Sequence, residues 1–235
     1  MTFETEAIIS LLKHSGKQTV SHETIKNEAR IPSDTVKKLI RKLQYDGLVN
    51  LQAETVDVDT GQRLKLAIKA VNSGADLERV TRLLSWQEFE GIAAFGFEQN
   101  MYKVSRNLHF KQTTRRWEID VVAYKKPLAI CADCKHWKHG LSPSVSRRVA
   151  REQAERTSAL ADALPNPKIK LDCRLEELTL FVPMILSLIA PREKFYDGVP
   201  IVPVLQLQDF LNELPGHLES LRHYHRRPGS FKVLG

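Results

Sequence analysis

The stretch from Trp117 to Trp137 constrains this chain most, because it sets charged side chains into otherwise apolar runs. Two such runs flank a short break at residues 125–127, and each run is typical of a buried β-strand. The first carries Asp120, and the second ends in Asp133 and Lys135, two positions apart. Side chains alternate between the faces of a strand, so Asp133 and Lys135 project to the same side. If the runs pair as a hairpin, Asp120 joins them at the end of a buried sheet.

This grouping of two carboxylates and one ammonium group calls for a compensating partner, because buried unpaired charge is costly. A divalent cation is the most economical one. Mg²⁺ takes oxygen ligands, keeps several waters and needs few protein ligands. We therefore predict a Mg²⁺ site at Asp120 and Asp133, with Mn²⁺ as a substitute. The alternative is a local Asp133–Lys135 ion pair, which leaves Asp120 unexplained.

The order of Asp120 and then Asp133-x-Lys135 resembles the core of the PD-(D/E)xK nuclease superfamily. The flanks agree with it, since a helix is predicted over residues 86–97 and a first strand over 104–110. This order of helix, strand and hairpin resembles the Mrr-like restriction nucleases and the archaeal Holliday-junction resolvases. In the family the second strand usually carries Glu before x-Lys, and Asp133 shortens that reach by one methylene.

The resemblance covers residues 85–211 and implies an α/β fold, a restriction-endonuclease-like mixed sheet flanked by helices. It implies that the backbone carbonyl of Cys134 is a third metal ligand beside the two aspartates. It also implies a carboxylate from the opening helix, with Glu90 as the preferred position and Glu88 as its rival. The catalytic set expected from the resemblance comprises Glu90, Asp120, Asp133 and Lys135. In phosphodiester hydrolysis, Lys135 would stabilise developing charge or orient the attacking water.

A long helix predicted over residues 143–164 carries side chains where related nucleases place groups near the metal or the phosphate. They are Arg148, Arg151, Gln153 and Arg156. Other cations flank the strands: Lys111, Arg115, Arg116, Lys138 and His139. Ordinary solvated surface charge is the alternative for both sets. From them we predict nucleic-acid contacts by Arg116, Gln153 and Arg156.

The cysteines and histidines of this region raise a competing hypothesis of a zinc site. Cys131-x-x-Cys134-x-His136-x-x-His139 resembles zinc-ligand spacing. Zinc knuckles place the two cysteines on a tight turn, whereas residues 128–132 are typical of a buried strand, on which residues three apart face opposite sides. The pattern therefore favours free thiols that pack as small apolar groups.

Residues 1–70 are predicted as a separate unit. Helices are predicted at 4–14, 21–29 and 34–46, and strands at 48–51 and 63–67, joined around 59–61. This order resembles a winged helix-turn-helix, whose third helix lies in the major groove. The DNA contacts predicted on that helix are Lys37, Lys38, Arg41 and Lys42. The wing is acidic at Glu54, Asp57 and Asp59, so the unit binds DNA through the helix alone, or serves protein contacts or dimerisation.

A linker at residues 71–75 is predicted to lead into a nuclease domain over 76–214. A short helix at 76–84 opens that domain. Strands at 177–189 and 199–205 and a closing helix at 207–214 complete its α/β core. Residues 215–235 are predicted as a basic C-terminal tail.

The composition favours a polyanionic partner. The 235-residue chain has a net charge of +7, and neutralising phosphates releases counter-ions. With 42% hydrophobic and 27% charged residues it is typical of soluble globular proteins, and no apolar run reaches bilayer length, so no membrane partner is predicted. Three cysteines indicate no disulfide framework, and the N-terminus lacks a signal segment. We predict a cytoplasmic location.

Together these features predict a magnesium-dependent DNA endonuclease that hydrolyses duplex or branched DNA in repair, recombination or restriction. The resemblance to resolvases implies a homodimer, because a junction offers two symmetric cuts. One alternative is a non-catalytic winged-helix DNA-binding regulator with an inactive nuclease-like domain, and another is an RNA-acting nuclease. Aromatic residues are only 7% of the chain, which favours duplex over single-stranded substrates.

Overall fold

The computed structural model describes residues 2–16, 18–136, 142–164, 169, 171, 179–188 and 191–226. The chain forms two compact units, Met1–Ile92 and Ala93–Gly235. The predicted linker at residues 71–75 lies inside the first unit rather than between the two. Within the described ranges, no helix is both long and apolar enough to cross a bilayer.

The first unit combines helices with a small antiparallel sheet. Its elements are α1 (Phe3–His14), β1 (Val20–Ser21), α2 (His22–Ala29), α3 (Ser33–Tyr45), β2 (Asn50–Gln52), β3 (Thr55–Asp57), α4 (Thr60–Asn72) and α5 (Leu77–Thr81). A further helix, α6 (Trp86–Gln99), begins in this unit and crosses the division. The three strands pair in the order β1-β3-β2.

Local signals explain where α2 and α3 begin and end. The Ser21 hydroxyl accepts a hydrogen bond from the backbone N–H of Thr24, so it caps α2. α3 buries Val36 and Ile40, four residues apart on one face. The chain leaves α3 at Gly47, whose φ of +69° suits glycine. The three predicted helices of this unit are confirmed.

One predicted strand is wrong, because residues 63–67 lie in α4. The Asp59 carboxylate accepts from the N–H of Gln62, and the Gln62 side chain accepts from the N–H of Asp59. This capping box starts a helix, and it outweighs a five-residue alternation of polar and apolar side chains. The hairpin turns at residues 53–54 instead, between β2 and β3. Asp59 is therefore a helix cap and not part of the wing tip.

The second unit is built on one mixed sheet. Its elements are β4 (Lys103–Gln112), β5 (Arg115–Lys125), β6 (Leu128–Lys135), α7 (Pro143–Ala163), β7 (Leu180–Ser187), β8 (Phe195–Tyr196), β9 (Val199–Pro203), α8 (Leu207–His217) and β10 (Tyr224–His225). The strand order is β4-β5-β6-β7-β9-β8, and β10 also pairs with β7. β4, β5 and β6 are antiparallel, whereas β6, β7 and β9 are parallel. The predicted α/β class, a mixed sheet flanked by helices, is confirmed.

Helix α7 packs along the sheet through two apolar clusters. Near its start, Val149 and Ala154 pack with Ile185 of β7. Near its end, Leu160 packs with Val122 of β5 in a larger cluster. Both β5 and β6 contain runs of consecutive buried residues, as expected for inner strands covered on both faces. The middle of α7 is thereby fixed against the sheet.

Candidate active site

The β5–β6 hairpin brings the two predicted aspartates together. The pairing of Val121 with Ala132, continued by one position, sets Asp120 opposite Asp133. Oδ2 of Asp120 accepts a hydrogen bond from the backbone N–H of Cys134 at 2.8 Å. Asp120 therefore lies against residues 133–134, on the neighbouring strand.

Asp133 is the most buried charge of this group, at 3% exposure. Its Oδ1 accepts hydrogen bonds from Lys135 Nζ at 3.0 Å and from Arg156 Nη1 at 2.8 Å. Lys135 Nζ also lies 2.8 Å from Oδ2, an ion-pair distance without hydrogen-bond geometry. Oδ2 thus accepts no hydrogen bond from any described residue. One buried carboxylate oxygen keeps its capacity for a further ligand.

The electrostatics of Asp120 favour a cation between the two carboxylates. Burial, and then the nearby charge of Asp133, raise the pKa of Asp120 above its ordinary value. The Cys134 N–H and the cations Lys135 and Arg156 oppose that rise in the pKa. Two adjacent carboxylates, one with an oxygen that accepts no hydrogen bond, fit a hard divalent ion that needs few protein ligands.

Helix α7 contributes Gln153 and Arg156, one turn apart. Gln153 is fully buried, and its Nε2 donates to the backbone carbonyl of Cys131 on β6 at 2.7 Å. Its Oε1 accepts from Arg156 Nη1 at 3.3 Å. Both ends of the Gln153 amide are thus hydrogen-bonded inside the protein, and this structure does not expose the side chain to the nucleic acid that it was predicted to contact. It joins the helix to the strand and orients Arg156.

The ion pair between Arg156 and Asp133 was not predicted from the sequence. For Arg156 we predicted only a contact with nucleic acid. The available signal was the spacing of Gln153 and Arg156. Residues three apart lie on one face of a helix, so a buried Gln153 carries Arg156 toward the sheet. The Arg156 side chain is 28% exposed, and its Nη2 lies 4.0 Å from Glu152.

The two candidate glutamates of α6 have different surroundings in the first unit. Glu88 Oε1 accepts from Arg63 Nε at 2.7 Å, and Oε2 accepts from the backbone N–H of Ser85 at 2.6 Å. Both Glu88 oxygens are thus engaged in holding the fold. Glu90 is also buried, at 2% exposure. The preference for Glu90 over Glu88 as the helix carboxylate stays a prediction.

The zinc hypothesis is disfavoured by the state of the cysteines. Cys131 and Cys134 both lie on β6, and neither is in a disulfide bond. Burial raises the pKa of Cys131 to about 12, whereas zinc needs a thiolate. Trp137, Lys138 and His139 lie outside the described residues. Across the part of the chain that the structure describes, no three His, Cys, Asp or Glu side chains cluster as metal ligands. Among the described residues, a Mg²⁺ site at the aspartate pair would therefore take its other ligands from backbone oxygen or water.

The surface cations predicted to meet nucleic acid lie in two places. On α3, Lys37, Lys38 and Arg41 are exposed, whereas exposed Lys42 lies 3.3 Å from Glu4. On the β4–β5 hairpin, Lys111 and Arg116 are exposed and pair directly across the two strands. Like charges directly opposite destabilise a sheet, so an anion there would be stabilising. Arg115 beside them stacks on Trp117 at 3.7 Å.

Comparison with known proteins gives distant likenesses. No family model matches the chain. An uncharacterized protein of Archaeoglobus fulgidus is 28% identical over 135 residues, which cover 57% of this chain and 95% of that protein. Among solved structures, the protein of unknown function AF1548 is 17% identical with a TM-score of 0.32, covering 50% of this chain and 57% of that one.

Two further solved structures align with most of the chain. Protein VC1899 from Vibrio cholerae is 12% identical with a TM-score of 0.39, over 92% of this chain and 52% of that one. The restriction endonuclease FokI bound to DNA is 11% identical with a TM-score of 0.40, over 91% of this chain and 44% of that one. The chain thus spans about half the length of these solved structures. At these values the likeness carries nothing about activity.

Proposed function

We propose that the protein is a magnesium-dependent endonuclease that hydrolyses phosphodiester bonds in DNA. The observation that carries the proposal is the placement of Asp120 beside buried Asp133 on adjacent strands, with Lys135 against the same carboxylate. A carboxylate pair suits Mg²⁺, and a neighbouring ammonium group suits a reaction that gathers negative charge.

Each residue of the site would have a separate role in the reaction. A bound Mg²⁺ ion would supply Lewis acidity and a more acidic water. Asp120 and Asp133 would hold it, with the Cys134 carbonyl as a further ligand. The N–H of Cys134 fixes the orientation of Asp120. Lys135 would stabilise the developing charge on the phosphate.

The first unit supports a DNA substrate through the exposed cations of α3. The order α1, β1, α2, α3, β2, β3 fits a winged helix-turn-helix, in which the third helix enters the major groove. Lys37, Lys38 and Arg41 face solvent on that helix. They would contact phosphates, which fixes position on DNA without reading its sequence. In the second unit, Arg116 would serve the same purpose.

Replacing Lys37, Lys38 or Arg41 singly by Ala is expected to weaken DNA binding and its salt dependence. Each lost phosphate contact should lower the magnitude of the slope of log K against log salt by about 0.9. Fluorescence anisotropy at several salt concentrations measures it. Lys65→Ala is the control, because Lys65 is exposed on α4. Slopes that stay at the wild-type value in all three variants would remove α3 from the DNA interface.

The proposed activity is tested with supercoiled plasmid and a four-way junction in the presence of Mg²⁺. We expect cleavage that stops on addition of EDTA and returns with excess Mg²⁺ or Mn²⁺. Protein that binds DNA, never cuts it and shows no Mg²⁺ binding by calorimetry would instead be a regulator with an inactive nuclease-like domain. Competition by RNA of the same sequence separates a DNA nuclease from an RNA nuclease.

A further inference from the structure

Arg156 occupies a cation position on Asp133. Its Nη1 lies 2.8 Å from Oδ1 of a carboxylate that is 3% exposed. The same oxygen also accepts from Lys135 Nζ at 3.0 Å. Lys135 belongs to the predicted catalytic set, whereas Arg156 comes from α7 and was expected to bind nucleic acid. The proposed chemistry therefore does not explain why Arg156 contacts Asp133.

A divalent ion and this guanidinium are in competition for Asp133. The oxygen open to a further ligand is Oδ2 of the same carboxylate that Arg156 contacts through Oδ1. An ion held by this carboxylate would repel the guanidinium, and the surrounding protein screens that repulsion poorly. Removing a cation from a buried carboxylate is costly, so the guanidinium would leave only as the metal ion takes over its compensating charge. The guanidinium is the one that can move, since its side chain is 28% exposed.

We propose that Arg156 is a positioning residue that neutralises Asp133 in the metal-free protein and leaves Oδ1 when the metal ion binds. This inference rests on the proposed function, because it takes Asp133 to be a metal ligand. Arg156 thereby sets the metal affinity of the site and keeps Asp133 oriented until the ion arrives.

Two neighbours on α7 make the displacement feasible. Gln153 Oε1 lies 3.3 Å from Nη1, and Glu152 Oε2 lies 4.0 Å from Nη2. An arginine that releases Asp133 therefore still has a hydrogen-bond acceptor and a carboxylate within reach on its own helix. Gln153 itself is fixed by its bond to the Cys131 carbonyl, so it does not move with the arginine.

Arg156→Gln is expected to bind Mn²⁺ about tenfold more tightly than wild type, the effect of removing one charge-assisted contact that competes with the ion. Isothermal titration calorimetry and the electron paramagnetic resonance signal of free Mn²⁺ both measure it without any nuclease assay. Arg147→Gln is the matched control, because it removes the same charge from an exposed position of the same helix. Its affinity is expected to stay near that of wild type.

The sign of the change decides between the two roles of Arg156. A residue that only supports the fold would lower the Mn²⁺ affinity when replaced, so weaker binding by Arg156→Gln overturns the proposal. Equal affinities in Arg156→Gln and Arg147→Gln overturn it as well. Arg156→Lys, which keeps the charge, should fall between wild type and Arg156→Gln, and it serves if Arg156→Gln does not fold by circular dichroism.

The outcomes also separate this inference from the nuclease proposal. Tighter Mn²⁺ binding by Arg156→Gln in a protein that never cuts DNA would support the arginine's role and reject the activity. If Arg156→Gln cleaves DNA and binds Mn²⁺ as wild type does, the nuclease proposal stands and the proposed role of Arg156 is wrong. Absence of Mn²⁺ binding in wild type and variants would reject both.

Discussion

Asp133→Asn is expected to reduce Mg²⁺-dependent DNA cleavage by roughly a thousandfold, the scale on which losing one preorganised charge stabiliser acts. Asn keeps the shape of the side chain but removes the charge that would hold the metal ion. It also leaves Lys135 and Arg156 beside a neutral group. Initial rates of plasmid nicking under excess Mg²⁺ measure the loss.

Two further variants make this prediction decisive. Lys135→Ala removes the ammonium group and is expected to cut cleavage by a factor of about a hundred while leaving Mn²⁺ binding intact. Asp209→Asn is the control, because it removes the same charge from an exposed position on α8 and should cleave at the wild-type rate. Undiminished cleavage by both Asp133→Asn and Lys135→Ala would place the active site elsewhere in the protein.

Arg63→Ala is expected to destabilise the first unit by about 3–5 kcal/mol, the cost of leaving a buried charge without its partner. Arg63 is 7% exposed and pairs with Glu88, which is 5% exposed. Its Nη1 donates to the carbonyls of Leu12 and Ser15, and its Nη2 donates to the carbonyl of Leu83. Truncation to Ala leaves these carbonyls and the Glu88 carboxylate buried without the hydrogen bonds that Arg63 donates.

Urea unfolding followed by far-ultraviolet circular dichroism measures the loss in the free energy of unfolding. Lys65→Ala, two residues along α4 and exposed, should change it by less than about 0.5 kcal/mol. The double variant Arg63→Met with Glu88→Leu should recover much of the loss, because it removes both buried charges. Similar stability of Arg63→Ala and Lys65→Ala would show that the buried network contributes little.

The hairpin of the candidate site could be predicted because its signals are local. Val121 to Tyr124 form a consecutive apolar run, which is what an inner strand requires, and alternation then sets Asp133 and Lys135 on one side. The opposite register of Asp120 and Asp133 follows from a short connection at residues 126–127. Each of these steps needs only the two strands themselves.

The role of α7 could not be predicted in the same way, because it depends on packing between distant residues. Glutamine is a polar residue that usually lies on the surface. Gln153 can be buried here because the Cys131 carbonyl on β6 accepts a hydrogen bond from its side chain. Arg156 then meets Asp133 because Gln153 is fixed. In the first unit, the alternating pattern at residues 63–67 was too short to identify a strand when a capping box preceded it.

The outer strand β4 constrains how two copies of this chain could associate. Its far side pairs with no other described strand, which would ordinarily offer a template for continuous sheet formation between molecules. Lys103, Arg106 and Lys111 along it are all exposed and positively charged. Two copies meeting edge to edge would bring these cations together and repel each other. A two-fold complex suited to a junction would therefore be assembled through another surface, and the strand would resist aggregation.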